Sequence, residues 1–410
     1  MRHRRFLPSL VAVLVSFAVA SGRAQTPQFK LLHVFTHGSD GAYPSTPLVI
    51  DQSGNLFGAT VEGGSPTDCS TNGCGNAYEL SQLAGHWGDR VLFEFSNSNG
   101  FFPEPIGPLV LDAKGNIYGT HLLGGDPICN CGGVFQLTRS GGVWTENILY
   151  NFLGGSGDGA SPISGLVQDK AGNLYGATEG GFNGPGSIFE LTPRSDGTWA
   201  YNVIHVFGSF GDGASPYGSL NIDASGNLYG TTSSGGIFGY GVVFKLAPSG
   251  GAFTETTLYN FSLDFGSAPQ ADGVMLGGDG NLYGATIFGG EHGLGTIYKL
   301  TPTTGFWNQT VLHTFTGNND GAYPYGGLIA DQTGALYGTA GAGGIYGYGT
   351  VFKLKQGVHG QWNEIALHSF AGTDGSQPGF GVVFDQLGSL YGVAGAGGTY
   401  GVGVAFKIVP

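Results

Sequence analysis

Short apolar runs separated by glycine-rich turns recur along nearly the whole chain, most legibly between Gly326 and Leu354. Leu328–Ala330 is apolar, and Asp331-Gln-Thr-Gly334 reads as a turn, because Asp caps its own backbone and Gly accepts a positive φ. Leu336–Ala340 is a second run. A Gly-rich loop follows, and Thr350–Leu354 is a third run of β-branched and aromatic residues. A fourth run alternates with period two in Leu92–Phe95, Leu149–Phe152, Ile204–Phe207, Leu258–Phe261, Leu312–Phe315 and Leu367–Phe370. Each copy follows a turn bearing Trp87, Trp144, Trp199, Phe253, Trp307 or Trp362. These lengths suit strands, here lettered a to d in chain order.

The unit repeats. The aromatic of the second run falls at Phe57, Tyr118, Tyr175, Tyr229, Tyr283, Tyr337 and Tyr391, at spacings of 61, 57, 54, 54, 54 and 54. A third-run aromatic accompanies it at Tyr78, Phe135, Phe189, Phe244, Tyr298, Phe352 and Phe406. A fixed period of this length signals a repeat architecture. A seventh fourth-run copy, Leu32-His-Val-Phe35, has no strand before it, while the last unit stops at three strands with Val404–Val409. Pairing the orphan strand with that edge closes a ring and hides two edges open to aggregation. The pattern predicts an all-β seven-bladed β-propeller with four antiparallel strands per blade, the last blade completed by the N-terminal strand. One body spanning 25–410 is expected. The d-to-a and b-to-c loops emerge on one face, and the a-to-b and c-to-d hairpins on the other. The first face carries the larger loops, of Asp320-Gly-Ala-Tyr-Pro324 and Gly-Gly-x-x-Gly-x-Gly type.

The core Asp223-x-x-Gly-Asn-Leu-Tyr-Gly230, the Gly235-Gly236 loop and Val243-Phe-Lys-Leu246 resemble the Gloeo/Verruco (GloVer) tandem repeat. That repeat occurs in the "choice-of-anchor" exported bacterial proteins, and the resemblance spans Phe29 to Pro410. It implies export and assigns no catalytic residue. The pattern is also loosely similar to propellers of the NHL and lactonase type.

Residues 1–24 read as a signal peptide: Arg2, Arg4 and Arg5 precede the apolar run Leu7–Ala20, and Gly22-Arg-Ala24 offers a cleavage site. A soluble, monomeric protein in the periplasm or outside the cell is expected, with no membrane span in the mature chain. Removing the leader's four arginines leaves 11 basic against 28 acidic residues, a charge near −17. Without a Lys/Arg stripe, such a chain does not suit nucleic acid or an anionic membrane.

Candidate chemistry is sparse. Asp51, Asp112, Asp169, Asp223, Asp331 and Asp385 share one hairpin position, with Gly277 in the remaining repeat, and read as turn-formers. Asp40, Asp158, Asp212, Asp320 and Asp374 lie in the d-to-a loops. They read first as Asp-Gly turns, with a Ca²⁺ site near the axis as the alternative. His33, His205, His313 and His368 share a strand-d position with Phe93, Tyr150 and Tyr259. Lying about 14 Å outward from strand a, they read as flat side chains between blades, not converging metal ligands. The turn tryptophans read as rim packing.

Four cysteines, Cys69, Cys74, Cys129 and Cys131, suggest disulfides in an exported chain. Cys69–Cys74 suits closure of a small loop, whereas a Cys-x-Cys bridge such as Cys129–Cys131 is strained; cross-pairing between the two loops is the alternative, with zinc a weaker third reading. No nucleophile elbow, metal-hydrolase motif or phosphate loop appears. Glu104, Asp126, Glu179, Glu291 and His292 sit singly in loops. Aromatics in the b-to-c loops, Phe182, Phe238, Tyr240, Phe288, Tyr346, Tyr348 and Tyr400, suit sugar rings or peptide segments, or pack over the blade tops.

The function expected is a non-catalytic exported propeller binding an extracellular glycan or protein through the larger-loop face, without a cofactor. One alternative is a hydrolase or lyase acting on carbohydrate or lactone, with acidic residues at the channel mouth. Another is a purely structural surface protein.

Overall fold

A computed structural model describes residues 26–64, 72–96, 104–155, 158–180, 184–208, 211–269 and 273–410. The signal peptide, Cys69 and Phe182 lie outside them. Seven antiparallel sheets form a seven-bladed β-propeller. In blade six the strands are Ile329–Ala330, Leu336–Ala340, Thr350–Gln356 and Trp362–Ser369, paired in the order a-b-c-d. The composite blade is as expected: Gln28–Val34 pairs with Val404–Val409 as the outermost strand of the sheet that ends the chain. Among the described residues the one helical element is a 3₁₀ turn, Leu263–Phe265. No helix there is long and apolar enough to cross a membrane.

The repeated sequence explains each blade. The hairpin aspartate accepts two backbone N–H groups, as Asp331 does from Thr333 and Ala335 at 2.8 and 3.0 Å, and closes the a–b turn. Its other oxygen takes the Tyr337 hydroxyl at 2.9 Å, which is why Tyr recurs. In blade five Gly277 replaces the aspartate and Asp279 takes over the role, accepting from Tyr283 at 2.8 Å. The glycine after Tyr leaves room for the strand-c ring. A Cβ on Gly338 would lie 2.6 Å from Phe352 Cζ, and the equivalent positions in the other blades are as tight.

That ring packs edge-on against the final Phe of the preceding blade's strand d. Phe35–Tyr78, Phe95–Phe135, Phe152–Phe189, Phe207–Phe244, Phe261–Tyr298, Phe315–Phe352 and Phe370–Phe406 repeat at centroid distances of 5.1 to 5.4 Å. Each such pair is worth about 0.5–1.5 kcal/mol beyond its buried area. The closing seam is built like every other.

Strand d departs from the simple alternation expected. In every blade its pairing with strand c slips by one residue at the leading Leu or Ile, as between Ala366 and His368. A bulge re-aims the side chains beyond it, here the His or Tyr, into the outer seam. His368 stacks on Phe29 at 3.7 Å, Tyr150 stacks on Tyr201 at 3.9 Å, and the Tyr259 hydroxyl donates to Gln309 at 2.7 Å. The rim aromatics pack likewise, Trp87 on Tyr391 and Trp199 on Tyr118.

Candidate functional site

On the loop face the Ala-x-Pro segment is part of the sheet. Ala322 bridges Ala342, and Ala42 and Ala214 pair with Glu62 and Ser234 at the far ends of their b strands. The residue before the proline then turns left-handed: Tyr43, Ser161, Ser215, Ala268, Tyr323 and Gln377 have φ of 50 to 56°. For residues with a Cβ this conformation is strained, and such strain gathers at functional sites. Two contacts hold it. The N–H of each donates to the preceding blade's b–c loop, as Tyr43 to Val402 at 2.7 Å and Tyr323 to Leu294 at 2.9 Å. The proline then covers a glycine of that loop so closely that a Cβ on Gly349 would lie 2.5 Å from Pro378 Cδ.

These turns aim the residues around each proline at the axis. A cavity of about 890 Å³ opens at the channel mouth, with residues of six blades in its wall. Tyr43, Tyr217, Tyr323, Tyr325 and Phe380 supply aromatic faces, and Ile106 and Ile163 an aliphatic side. No Asp, Glu, His, Lys or Arg is among the wall residues described. Burial pushes the Tyr217 phenol pKa up, and the nearby Glu179 carboxylate and Tyr325 add to the effect. Glu179 is held beside this wall by its N–H, which donates to the Ser161 carbonyl at 3.1 Å.

Charge is divided between the faces. The basic side chains of residues 25–410 lie on the hairpin half, in the a–b turns or on strands c and d toward their shared hairpin. Lys353 and Lys407 lie over the Tyr337 and Tyr391 rings at 4.8 and 4.9 Å. The loop half carries carboxylates and histidines without a lysine or arginine.

Phe238, Tyr240, Tyr346, Tyr348 and Tyr400 stand exposed on the b–c loops, with Tyr400 61% accessible. None of the five lines the cavity. Phe288 packs edge-on against Tyr323 at 5.8 Å, so one b–c loop supports the wall from outside.

The d–a aspartates and strand-d histidines, separate series in the sequence, meet in contacts between strand d and the loop that follows it, at five of the seven blade junctions. His33–Asp40, His205–Asp212, His313–Asp320 and His368–Asp374 lie at 3.1, 3.2, 3.2 and 2.9 Å, and Tyr150 donates to Asp158 at 2.5 Å. The same carboxylates accept loop N–H groups, Asp320 from Thr316 at 2.9 Å. Burial holds the His313 and His368 pKa values down against the pull of these aspartates. Among the described residues no three His, Cys, Asp or Glu side chains gather as a metal site.

Cys129 is bonded to Cys131, with Cα atoms 5.2 Å apart. Cys74 is also disulfide-bonded.

Tyr217, Tyr325 and Phe380 are not found by searching the Gly-rich loops. A usable signal lies after the repeated proline. That position holds Ser45, Ile106, Ile163, Tyr217, Gln270, Tyr325 and Gly379, varied after a constant proline. The model of the Gloeobacter/Verrucomicrobia repeat matches residues 17–223 and 216–410, so the chain belongs to that family. No curated protein matches the sequence.

Proposed function

We propose that this member of the Gloeobacter/Verrucomicrobia repeat family is an exported, non-catalytic binding protein. Its loop face takes a segment of an extracellular polymer, a glycan chain ahead of a protein segment, into the channel mouth. The observation that carries this is the cavity itself: about 890 Å³, walled by four tyrosines and a phenylalanine. Pockets of this size with an apolar wall and a few polar groups are typical of ligand sites. Phenol rings offer a flat face to the C–H side of a sugar and a hydroxyl to its rim. Most glycoside hydrolases set a pair of carboxylates on either side of one bond, and the described wall carries none.

The test is calorimetric titration of residues 25–410 with neutral and charged oligosaccharides and with peptides, with and without Ca²⁺. Tyr325→Ala should weaken the strongest binder about tenfold, roughly 1.4 kcal/mol, without lowering the melting temperature. Undiminished affinity in a Tyr325→Ala/Phe380→Ala variant would remove the cavity from the binding site.

A further inference from the structure

We infer that the occupant of the cavity is cationic: a polymer of amino sugars bearing free ammonium groups. The inference rests on the binding reading above and narrows it to one chemical class.

Its first support is the division of charge. The loop face carries no lysine or arginine, in a chain with 11 basic and 28 acidic residues after the leader. Its potential is negative, and a cleft with low-dielectric walls focuses that potential at its mouth. A polyanion meets repulsion there with no cation to neutralise it.

The second support is where carboxylates meet the wall. The Glu179 N–H donates to the Ser161 carbonyl at 3.1 Å, which places its carboxylate two residues from the wall residue Ile163. Glu62 follows the wall residue Val61 and lies 3.2 Å from His37, which packs edge-on to Tyr43. Glu104 directly precedes Pro105, in the place that Tyr43, Tyr323 and Gln377 hold before their prolines.

The third is the wall itself, because aromatic faces attract cations, by about 0.5–2 kcal/mol according to desolvation. Tyrosine faces backed by carboxylates thus form a site for an ammonium attached to an apolar surface. An amino sugar presents both on one rigid ring. A lysine side chain presents its ammonium on a flexible stem and loses up to about 2 kcal/mol of rotamer entropy when ordered. The rigid ring is favoured.

The experiment titrates the protein with a glucosamine hexamer, its fully N-acetylated form and a lysine hexamer. The expected result is at least tenfold tighter binding of the free-amine sugar than of the acetylated one, with an advantage that shrinks as salt rises. Glu179→Gln should lower the free-amine affinity more than the acetylated, with Glu104→Gln as a second variant if the first melts early. Tyr325→Ala should weaken both sugars. Equal affinity for the two sugars would overturn the cationic inference and leave the loop-face reading standing. Tighter binding of the lysine hexamer would overturn it in favour of a basic protein segment. Binding of none of the three, nor of any ligand in the wider screen, would remove both readings.

Discussion

The two faces of the propeller use the same repeat differently. On the hairpin face each blade makes nearly one structure, an aspartate capping its turn and in most blades accepting a Tyr hydroxyl, as Asp331 does from Tyr337 and Asp385 from Tyr391. When blade five loses the aspartate, Asp279 restores the contact. On the loop face the backbone is equally regular, with a left-handed residue before proline in six blades, yet the side chains differ from blade to blade. Regular backbone under irregular side chains fits the binding role proposed for the loop face. Regularity in both belongs to a part that only closes the ring.

The sharpest way to break this comparison is to remove closure itself. Deleting Phe29 to Phe35 strips strand d from the last blade and bares the edge of Val404–Val409. The shortened protein should aggregate or lose its cooperative transition, and a monomer melting normally would defeat the composite-blade account. Next in size is Phe370→Ala, which empties a fully buried position between Phe29 and Phe406. It should cost about 3–5 kcal/mol, read as a melting drop of several degrees, while ligand binding measured below that transition persists.

Smaller changes sharpen the contrast. Gly334, at φ 80° in a hairpin turn with open space around it, should lose about 1 kcal/mol on replacement by Ala. Ser215, at φ 53° on the loop face, should instead be neutral or gain up to about 1 kcal/mol as Gly. Denaturant titration of the two variants checks the pair; equal losses would show that the loop-face conformation is unstrained.

The smallest effect concerns Glu364, on strand d of blade six. Burial, with Asp320 nearby, pushes its pKa from 4.5 to about 8, and one oxygen is buried without a partner. The folded chain then holds a proton that the unfolded chain releases from about pH 4.5, so stability falls as pH rises toward 8. Glu364→Gln should flatten that slope and raise melting near pH 8. Partial exposure screens the gain to about 1 kcal/mol or less. An unchanged pH profile would show that Glu364 ionises freely.

The fold was legible because its determinants are local and repeated. Gly338 and its equivalents mark where a ring must fit, and the orphan Leu32–Phe35 strand named its own partner edge. The bulge in strand d was not legible, because Leu-His-x-Phe alternates on paper whether or not the pairing slips. The site was less legible still. Asp320 and His313 are seven residues apart, and nothing in a repeat says that one loop folds back onto its own strand. Tyr217 and Tyr325 reach the cavity through the left-handed turn before Pro216 and Pro324. That conformation depends on an N–H bond to the neighbouring blade, a contact between repeats that no single repeat displays.

The pairing of Gln28 with Val409 places the two ends of the described chain side by side, at the hairpin end of the two outer strands of their blade. Any tether, label or neighbouring domain joined at either end would therefore grip the molecule by the hairpin face. The cavity would point away from the attachment, like the bowl of a cup held by its base. A sensor surface carrying the protein by its C-terminus would present every mouth outward, whereas immobilisation through an introduced cysteine near Tyr346 would turn the mouths toward the support.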